Sequence, residues 1–371
     1  MKILLGTFFT ECLLLILMAV MKRSYVSVDL CEKKECVTKY SRVIAFIFAF
    51  ILIFVAGFRE RFWDTTDYRL MYSEIGNDIN NVFNDTVPRV EKGYLLFNYL
   101  LNLISSDSQF LLIVASLITN GLFIKTIFTE TEDAPFSLFL YLVSGFLGTM
   151  NGLRQMLAAA VVFSYGVKWA KKEKSFINDI GMLLCILLMS TFHKSVLICI
   201  PIYFAARGKP FNGYIKIGML FSAILFLIPS LSAWFIQILG GDDYGSYSQV
   251  NATQSVLRFL IESVPFLLCI LCDYNKQLKT EELSKSSQWF INLSAIGFCF
   301  NLLALRMVYY ARINMYITLC NTIMLPYFIR KFFKKGDYKV VKAVAIVLYI
   351  IYFYFGLIAN GNFAYDFRLV I

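Results

Sequence analysis

Arg59, Arg61, Asp64 and Asp67 lie within nine residues of one another, and Tyr68 and Tyr72 follow at a spacing of four. At that spacing the two tyrosines share one face of a short helix. Carboxylates beside guanidiniums suit work on a phosphorylated sugar. A carboxylate can take a hydroxyl proton, arginines can hold a phosphate leaving group, and aromatic rings can stack on sugar faces. The same stretch closes with Glu91-Lys92-Gly93-Tyr94, which adds another acid. Further on, Arg154 follows Asn151-Gly152-Leu153 and precedes Ala158, Ala159 and Ala160, small residues that allow close helix packing. His193 is the single histidine of the chain and stands beside Lys194. Such an imidazole is a candidate general base or phosphate donor. Arg306 and Tyr310 share a helical face, as do Tyr309 and Arg312. Arg258 and Glu262 make an i, i+4 pair, and ionisable residues at membrane depth commonly mark a cavity. Each group also has a plainer reading: ion pairs in a solvated loop, an arginine reaching for the interface, a structural histidine.

The elements that must position these residues follow from composition. Hydrophobic residues make up 58% of the 371 and charged residues only 16%, against about 25% charged in a soluble domain. With 36 Phe and so few charges, a water-soluble fold could not cover its apolar surface; lipid accepts it. Apolar runs near 3–21, 42–58, 109–128, 135–150, 153–170, 176–192, 194–206, 215–238, 256–273, 288–306, 310–329 and 340–358 predict an all-α polytopic membrane protein. The expectation is about twelve transmembrane helices, with ten to fourteen as the range. The whole chain, 1–371, reads as one integral membrane domain, with 59–93 as a large extracytoplasmic loop after the second span. Segment 94–105 is short for a span and reads as an amphipathic or re-entrant helix at the surface. No cleavable leader is evident in 3–21, which carries Glu11 and lacks a small-residue cleavage site.

Orientation follows from Lys and Arg. With the N-terminus outside, 22 of the 35 basic residues fall on the inner side, in five basic loops. Nine of the 13 Arg nevertheless fall outside: Arg59, Arg61, Arg69, Arg89, Arg154, Arg258, Arg306, Arg312 and Arg368. Among lysines only Lys2, Lys92 and Lys194 do so. Topology needs charge alone, whereas a guanidinium fork suits phosphate or carboxylate. The outer face therefore reads as binding an anion, and the +10 net charge is not read as a nucleic-acid surface. Cys269-x-x-Cys272 and the Cys31/Cys36 pair have metal-like spacing but no histidine beside them, and no metal ligand set is assigned. No Walker, dinucleotide or zinc motif is present, so no cofactor is expected. Asn251-Ala252-Thr253 is a glycosylation sequon that matters only in a eukaryotic source.

Taken in order, five short motifs resemble the EpsG family, bacterial membrane proteins related to Wzy-type polysaccharide polymerases. The first is Arg61 followed by Asp67-Tyr68 and Tyr72. Glu91-Lys92-Gly93-Tyr94 comes next, then Leu153 to Ala158 (Leu-Arg-Gln-x-Leu-Ala). Phe192 to Pro201 and Arg306 to Tyr310 complete the series. The resemblance spans roughly 45 to 330. One departure is the Phe-Trp-Asp-Thr-Thr ahead of Asp67, where the family more often has Gly-Thr, so Asp64 competes with Asp67 for the acidic role.

The resemblance implies a polymerase of lipid-linked repeat units (O-antigen, capsule or exopolysaccharide) on the outer face of the bacterial cytoplasmic membrane, with a GT-C-like architecture. Its donor would be a glycan on undecaprenyl pyrophosphate and its acceptor the sugar hydroxyl of another lipid-linked unit. A chain-length regulator protein would be a further partner. Asp67, His193 or Glu91 would be the catalytic base. Arg59, Arg61, Arg154, Arg306 and Arg312 would neutralise the departing pyrophosphate. Asp64, Tyr68, Tyr72, Lys194, Arg258 and Tyr310 complete the expected substrate-binding set. Chelation of a metal by Asp67 and Glu91 stays open, as do two other classes: a lipid-linked glycan flippase or exporter, and a membrane acyltransferase acting on glycans.

Overall fold

The computed structural model describes residues 2–21, 39–84, 87–240, 252–277, 283–358 and 365–368. The Cys31/Cys36 pair, Asn251 and the basic residues Lys22, Arg23, Lys33, Lys34 and Lys279 lie outside them.

The described chain is almost entirely helical. Its helices are α1 (Lys2–Met21), α2 (Lys39–Gly57), α3 (Thr65–Ile75), α4 (Asn80–Phe83), α5 (Lys92–Asn102) and α6 (Ser108–Glu130). They continue as α7 (Ala134–Leu140), α8 (Leu153–Lys171), α9 (Phe176–Ser190), α10 (Cys199–Ala206), α11 (Gly213–Leu227) and α12 (Pro229–Gly240). The last are α13 (Ala252–Tyr274), α14 (Lys285–Ala304), α15 (Tyr309–Asn314), α16 (Leu319–Phe332) and α17 (Lys335–Ile358). Two short strands, β1 (Arg59–Arg61) and β2 (Asp366–Phe367), pair antiparallel and bring the C-terminal segment against the exit of α2.

Each apolar run picked out by hydropathy is helical, but not every one is a single straight rod. Among the described residues three helical stretches, Lys2–Val20, Ser108–Glu130 and Gly336–Phe355, are long and apolar enough to cross a membrane alone. The run 215–238, expected as one span, instead bends by 112° between α11 and α12. Pro229 lacks the N–H that would continue the helix, and it pushes Ile228 out of the helical region (φ −115°, ψ 88°). The run 135–150 also departs from one α-helix. After α7 it widens into a π-turn at Tyr141–Gly145 and then tightens into a 3-10 turn at Leu147–Met150. Asn120 on α6 pins this irregular backbone, its Oδ1 accepting from the Tyr141 hydroxyl (2.6 Å) and the Thr149 hydroxyl (3.3 Å).

Large apolar side chains face outward along whole helices. Phe9, Leu13 and Ile16 do so on α1, and Val340, Val344 and Val347 on α17. A water-soluble protein does not leave such continuous surface bare. The chain is an all-α membrane protein.

Helix ends gather in two sets. At one end lie the ion pairs Lys171–Glu130, Arg207–Asp179, Lys285–Glu173, Arg330–Glu132 and Lys342–Asp133. They gather the ends of α6, α8, α10 and α16 with the starts of α7, α9, α14 and α17. At the other end, segment 59–93 is a folded cap rather than an open loop. β1, α3 and α4 sit over the starts of α5, α6 and α8, with Ile75, Val82, Val87 and Leu95 as a small core of their own. Gln109 at the start of α6 bonds the carbonyl of Gly57, and Arg69 bonds Gln109, so the exit of α2 is tied to the cap.

Candidate functional site

The cap end brings together residues from five separate stretches, and Arg154 is where they meet. Gly152, in the left-handed region at φ 68°, turns the chain from the 3-10 segment into α8. The turn points its N–H at Asp64, whose Oδ2 accepts it at 2.8 Å. Arg154, one residue into α8, then projects into the cap and pairs with Glu91 through Nη1 and Oε2. Its guanidinium also lies 5.8 Å from the centre of the Tyr94 ring. Tyr68 packs edge-on against Tyr94 (6.0 Å) and interacts with both Asp64 and Arg154.

Glu91 is shared between two partners. Its second oxygen accepts the backbone N–H of Lys194 at 2.8 Å. The same oxygen lies 3.7 Å from Nδ1 of His193, too far for a hydrogen bond. A close backbone crossing sets this register: the Tyr94 N–H bonds the Thr191 carbonyl at 3.1 Å. Gly93 makes the crossing possible, because a methyl group there would sit 2.7 Å from that carbonyl oxygen and would also collide with the Thr191 side chain. Gly93→Ala is therefore expected to overpack the crossing by about 1–3 kcal/mol, displacing Glu91 from Arg154. A thermal melt of the purified variant in detergent checks this; an unchanged midpoint would show that the crossing yields freely.

Electrostatics separates the candidate acids and bases. Burial, reinforced by the guanidiniums of Arg154 and Arg312 and opposed by Glu91, lowers the His193 pKa to about 4. The imidazole is thus neutral near pH 7 and able to take a proton. Burial raises the Asp64 carboxyl, with the Gly152 N–H and Arg59 pulling it back. Several buried polar atoms here have no hydrogen-bond partner among the described residues: Asp64 Oδ1, Arg59 Nη2, Arg154 Nε, His193 Nδ1 and the Tyr94 hydroxyl. Buried polar groups are ordinarily bonded, so this concentration at one place fits a site made for a polar guest.

The remaining expected residues divide. Arg312 on α15 reaches His193 electrostatically, and its carbonyl accepts from Gln155 at 2.8 Å, which joins α15 to α8. Arg59 is buried under the cap, donating to the Thr65 hydroxyl (2.9 Å) and the Ala56 carbonyl. Arg61 and Asp67 are exposed, on β1 and on the outer side of the first turn of α3. Tyr72 is fully buried, with its hydroxyl donating to the Ser105 carbonyl at 2.6 Å. Tyr310 is likewise buried, its hydroxyl 2.8 Å from that of Ser232 on α12. Arg306 lies over the Phe226 ring at the end of α11. Arg258 pairs with buried Glu262 (3.1 Å). Glu262 in turn accepts from Asn314 and Thr318, and Asn314 also donates to Asn301 (2.8 Å), a second polar cluster within the bundle. Among the described residues, no three His, Cys, Asp or Glu side chains converge to hold a metal ion.

Two contributions were not singled out from the residues alone: the hold of the Gly152 N–H on Asp64, and Thr191. The Asn-Gly dipeptide at 151–152 was the available signal for the first, as a turn with positive φ. Nothing local marks Thr191, whose part is to be crossed by Gly93.

No curated protein and no solved structure matches the chain. The EpsG family profile matches residues 42–367, most of the chain and all of the residues around Arg154. The chain belongs to the EpsG family, a family of Wzy-like polysaccharide polymerases.

Proposed function

We propose that this polysaccharide-biosynthesis protein joins lipid-linked oligosaccharide repeat units on the outer face of the bacterial cytoplasmic membrane. The observation that carries the reading is the convergence of Asp64, Tyr68, Glu91, Arg154 and His193 from distant parts of the chain on one polar site at the cap end. The ring of lysine-rich ion pairs at the opposite end supports the orientation, since inner loops carry the basic excess. In this reading the apolar helical runs make about twelve membrane passages in a GT-C-like arrangement. α11 crosses, and α12 lies along the outer surface.

The reaction is a displacement at the anomeric carbon of a glycan carried on undecaprenyl pyrophosphate. The acceptor sugar's hydroxyl oxygen forms the new glycosidic bond, and the bond from the anomeric carbon to the pyrophosphate oxygen breaks. His193, neutral at working pH, takes the hydroxyl proton. Asp64, fixed by Gly152, orients the acceptor sugar against Tyr68. Arg154, with Arg312, receives the charge that develops on the departing pyrophosphate. Glu91 has both oxygens engaged, and it serves to aim Arg154 and hold the His193–Lys194 turn. Asp67 and Arg61 stand at the rim, where sugars arrive.

The test is reconstitution of purified protein in vesicles with a labelled lipid-linked repeat unit. Glycans of two or more units, attached to lipid, are the expected product. Movement of unchanged lipid between leaflets without elongation would overturn this reading in favour of an exporter.

A further inference from the structure

Arg312 stands on an element that cannot hold itself in place. Its helix, α15, has six residues between two stretches of turn. So short a helix is not stable alone, and its position must come from its anchors. The run 310–329, expected as one span, is interrupted at 315–318, where successive tight turns separate α15 from α16. Polar anchors reach α15 from several helices. Gln155 on α8 donates to the Arg312 carbonyl at 2.8 Å, and the Tyr310 hydroxyl meets that of Ser232 on α12 at 2.8 Å. The Asn314 amide donates to Glu262 on α13 at 3.3 Å and to Asn301 on α14 at 2.8 Å.

Glu262 reaches across the joint between α15 and α16. Its Oε2 accepts from Asn314 before the joint and from the Thr318 hydroxyl after it, both at 3.3 Å. Its backbone carbonyl accepts from Asn321 on α16 at 3.2 Å. Arg258, at 3.1 Å from Oε1, supplies the counter-charge that a buried carboxylate needs. Tyr316, midway along the joint, bonds the turn that carries the histidine. Its hydroxyl lies 2.8 Å from that of Ser195, two residues after His193, and its carbonyl accepts from the Tyr203 hydroxyl at 2.9 Å. The joint thus reaches His193 by two routes, through Arg312 on one side and through Tyr316 and Ser195 on the other. An ion pair is costly at this depth in a membrane bundle, and the bonds of this one run to the joint.

We infer that Glu262 is a positioning residue, which clamps the α15–α16 joint and thereby fixes Arg312 relative to His193. Arg258, expected to bind substrate, then serves the site from behind, as the partner that holds the clamp. The inference rests on the polymerase reading for what Arg312 and His193 do, and on the clamp itself for how they are held.

The single histidine makes the clamp measurable without turnover. Protein labelled with ¹³C-histidine, carrying a tag free of histidine and placed in lipid nanodiscs, gives one imidazole signal to titrate. Burial lowers the His193 pKa to about 4, Glu91 at the start of α5 opposes this, and Arg154 on α8 and Arg312 on α15 add to it. Arg312→Gln should therefore raise the midpoint. Removing either charge of the Arg258–Glu262 pair would strand the other, so the clamp is cut from the side of the joint by Asn314→Leu with Thr318→Val. This variant should reproduce most of the rise seen in Arg312→Gln, and combining it with Arg312→Gln should add little more. Asn292→Leu, which cuts a polar link between α14 and the Ala206 carbonyl at the opposite end of the bundle, should leave the midpoint at the parental value. A parental midpoint in the clamp variant, full additivity with Arg312→Gln, or no response to Arg312→Gln itself overturns the clamp. In the polymerisation assay the clamp variant should lose about 10–10²-fold in kcat at unchanged KM, the scale of a small misplacement far from the chemistry. If the parent builds no glycan, the polymerase reading fails, while the titration still decides whether Glu262 positions Arg312.

Discussion

Arg154→Lys is expected to slow glycan polymerisation by about 10²–10³-fold, the scale of losing one donor that stabilises transition-state charge. The substitution keeps the positive charge. It loses the planar fork, which here reaches Glu91 through Nη1 while Nε has no hydrogen-bond partner among the described residues. A lysine ammonium could satisfy Glu91 or a pyrophosphate oxygen, but not both in fixed geometry. The loss should therefore appear in kcat, because the contact matters most as the leaving group gains charge. If KM rises and kcat holds, Arg154 binds substrate without assisting the chemistry. Near-normal ladders at matched expression would remove Arg154 from the site altogether.

The second large effect is expected at His193. His193→Ala should cost about 10²–10⁴-fold in rate if the imidazole is the general base, and added imidazole should restore part of it, which a purely packing role would not allow. The pH dependence gives an independent readout. Burial, aided by Arg154 and Arg312, holds the folded pKa near 4, below the ordinary value of about 6.5. The base is then ready from neutral pH down to about 5, and activity falls only as pH drops through the folded pKa. Stability follows the same sign. Between about 6.5 and 4 the unfolded chain binds this proton and the folded chain does not, so stability declines as pH falls through that window. An acidic limb centred near 6.5 in the rate of the parent would contradict the assignment.

Hydropathy placed the helices well because lipid demands internally satisfied backbone, and that demand writes long apolar runs into the sequence. The breaks were less visible. Pro229 was a local signal for the bend after α11, but the π and 3-10 turns ahead of Gly152 depend on Asn120, which lies 21 residues before Tyr141 and 29 before Thr149 and bonds both. The i, i+4 spacing of Tyr68 and Tyr72 did report a common buried face. It could not report that one hydroxyl serves Arg154 while the other is spent on the Ser105 carbonyl. Asp64 and Asp67 illustrate the same limit. Both are acids near the start of α3, and only the fold decides that Asp64 turns toward Gly152 while Asp67 lies on the exposed side. The meeting of five short motifs is a property of the packing, since each motif alone is too brief to specify its partners.

The most direct test of the account counts both products of the proposed reaction. Purified protein in vesicles, given one defined lipid-linked repeat unit, should release one undecaprenyl pyrophosphate for each glycosidic bond in the ladder. Arg154→Lys should lose ladder and release together. Elongation without that release, or a ladder that survives Arg154→Lys undiminished, would contradict a displacement centred on Arg154.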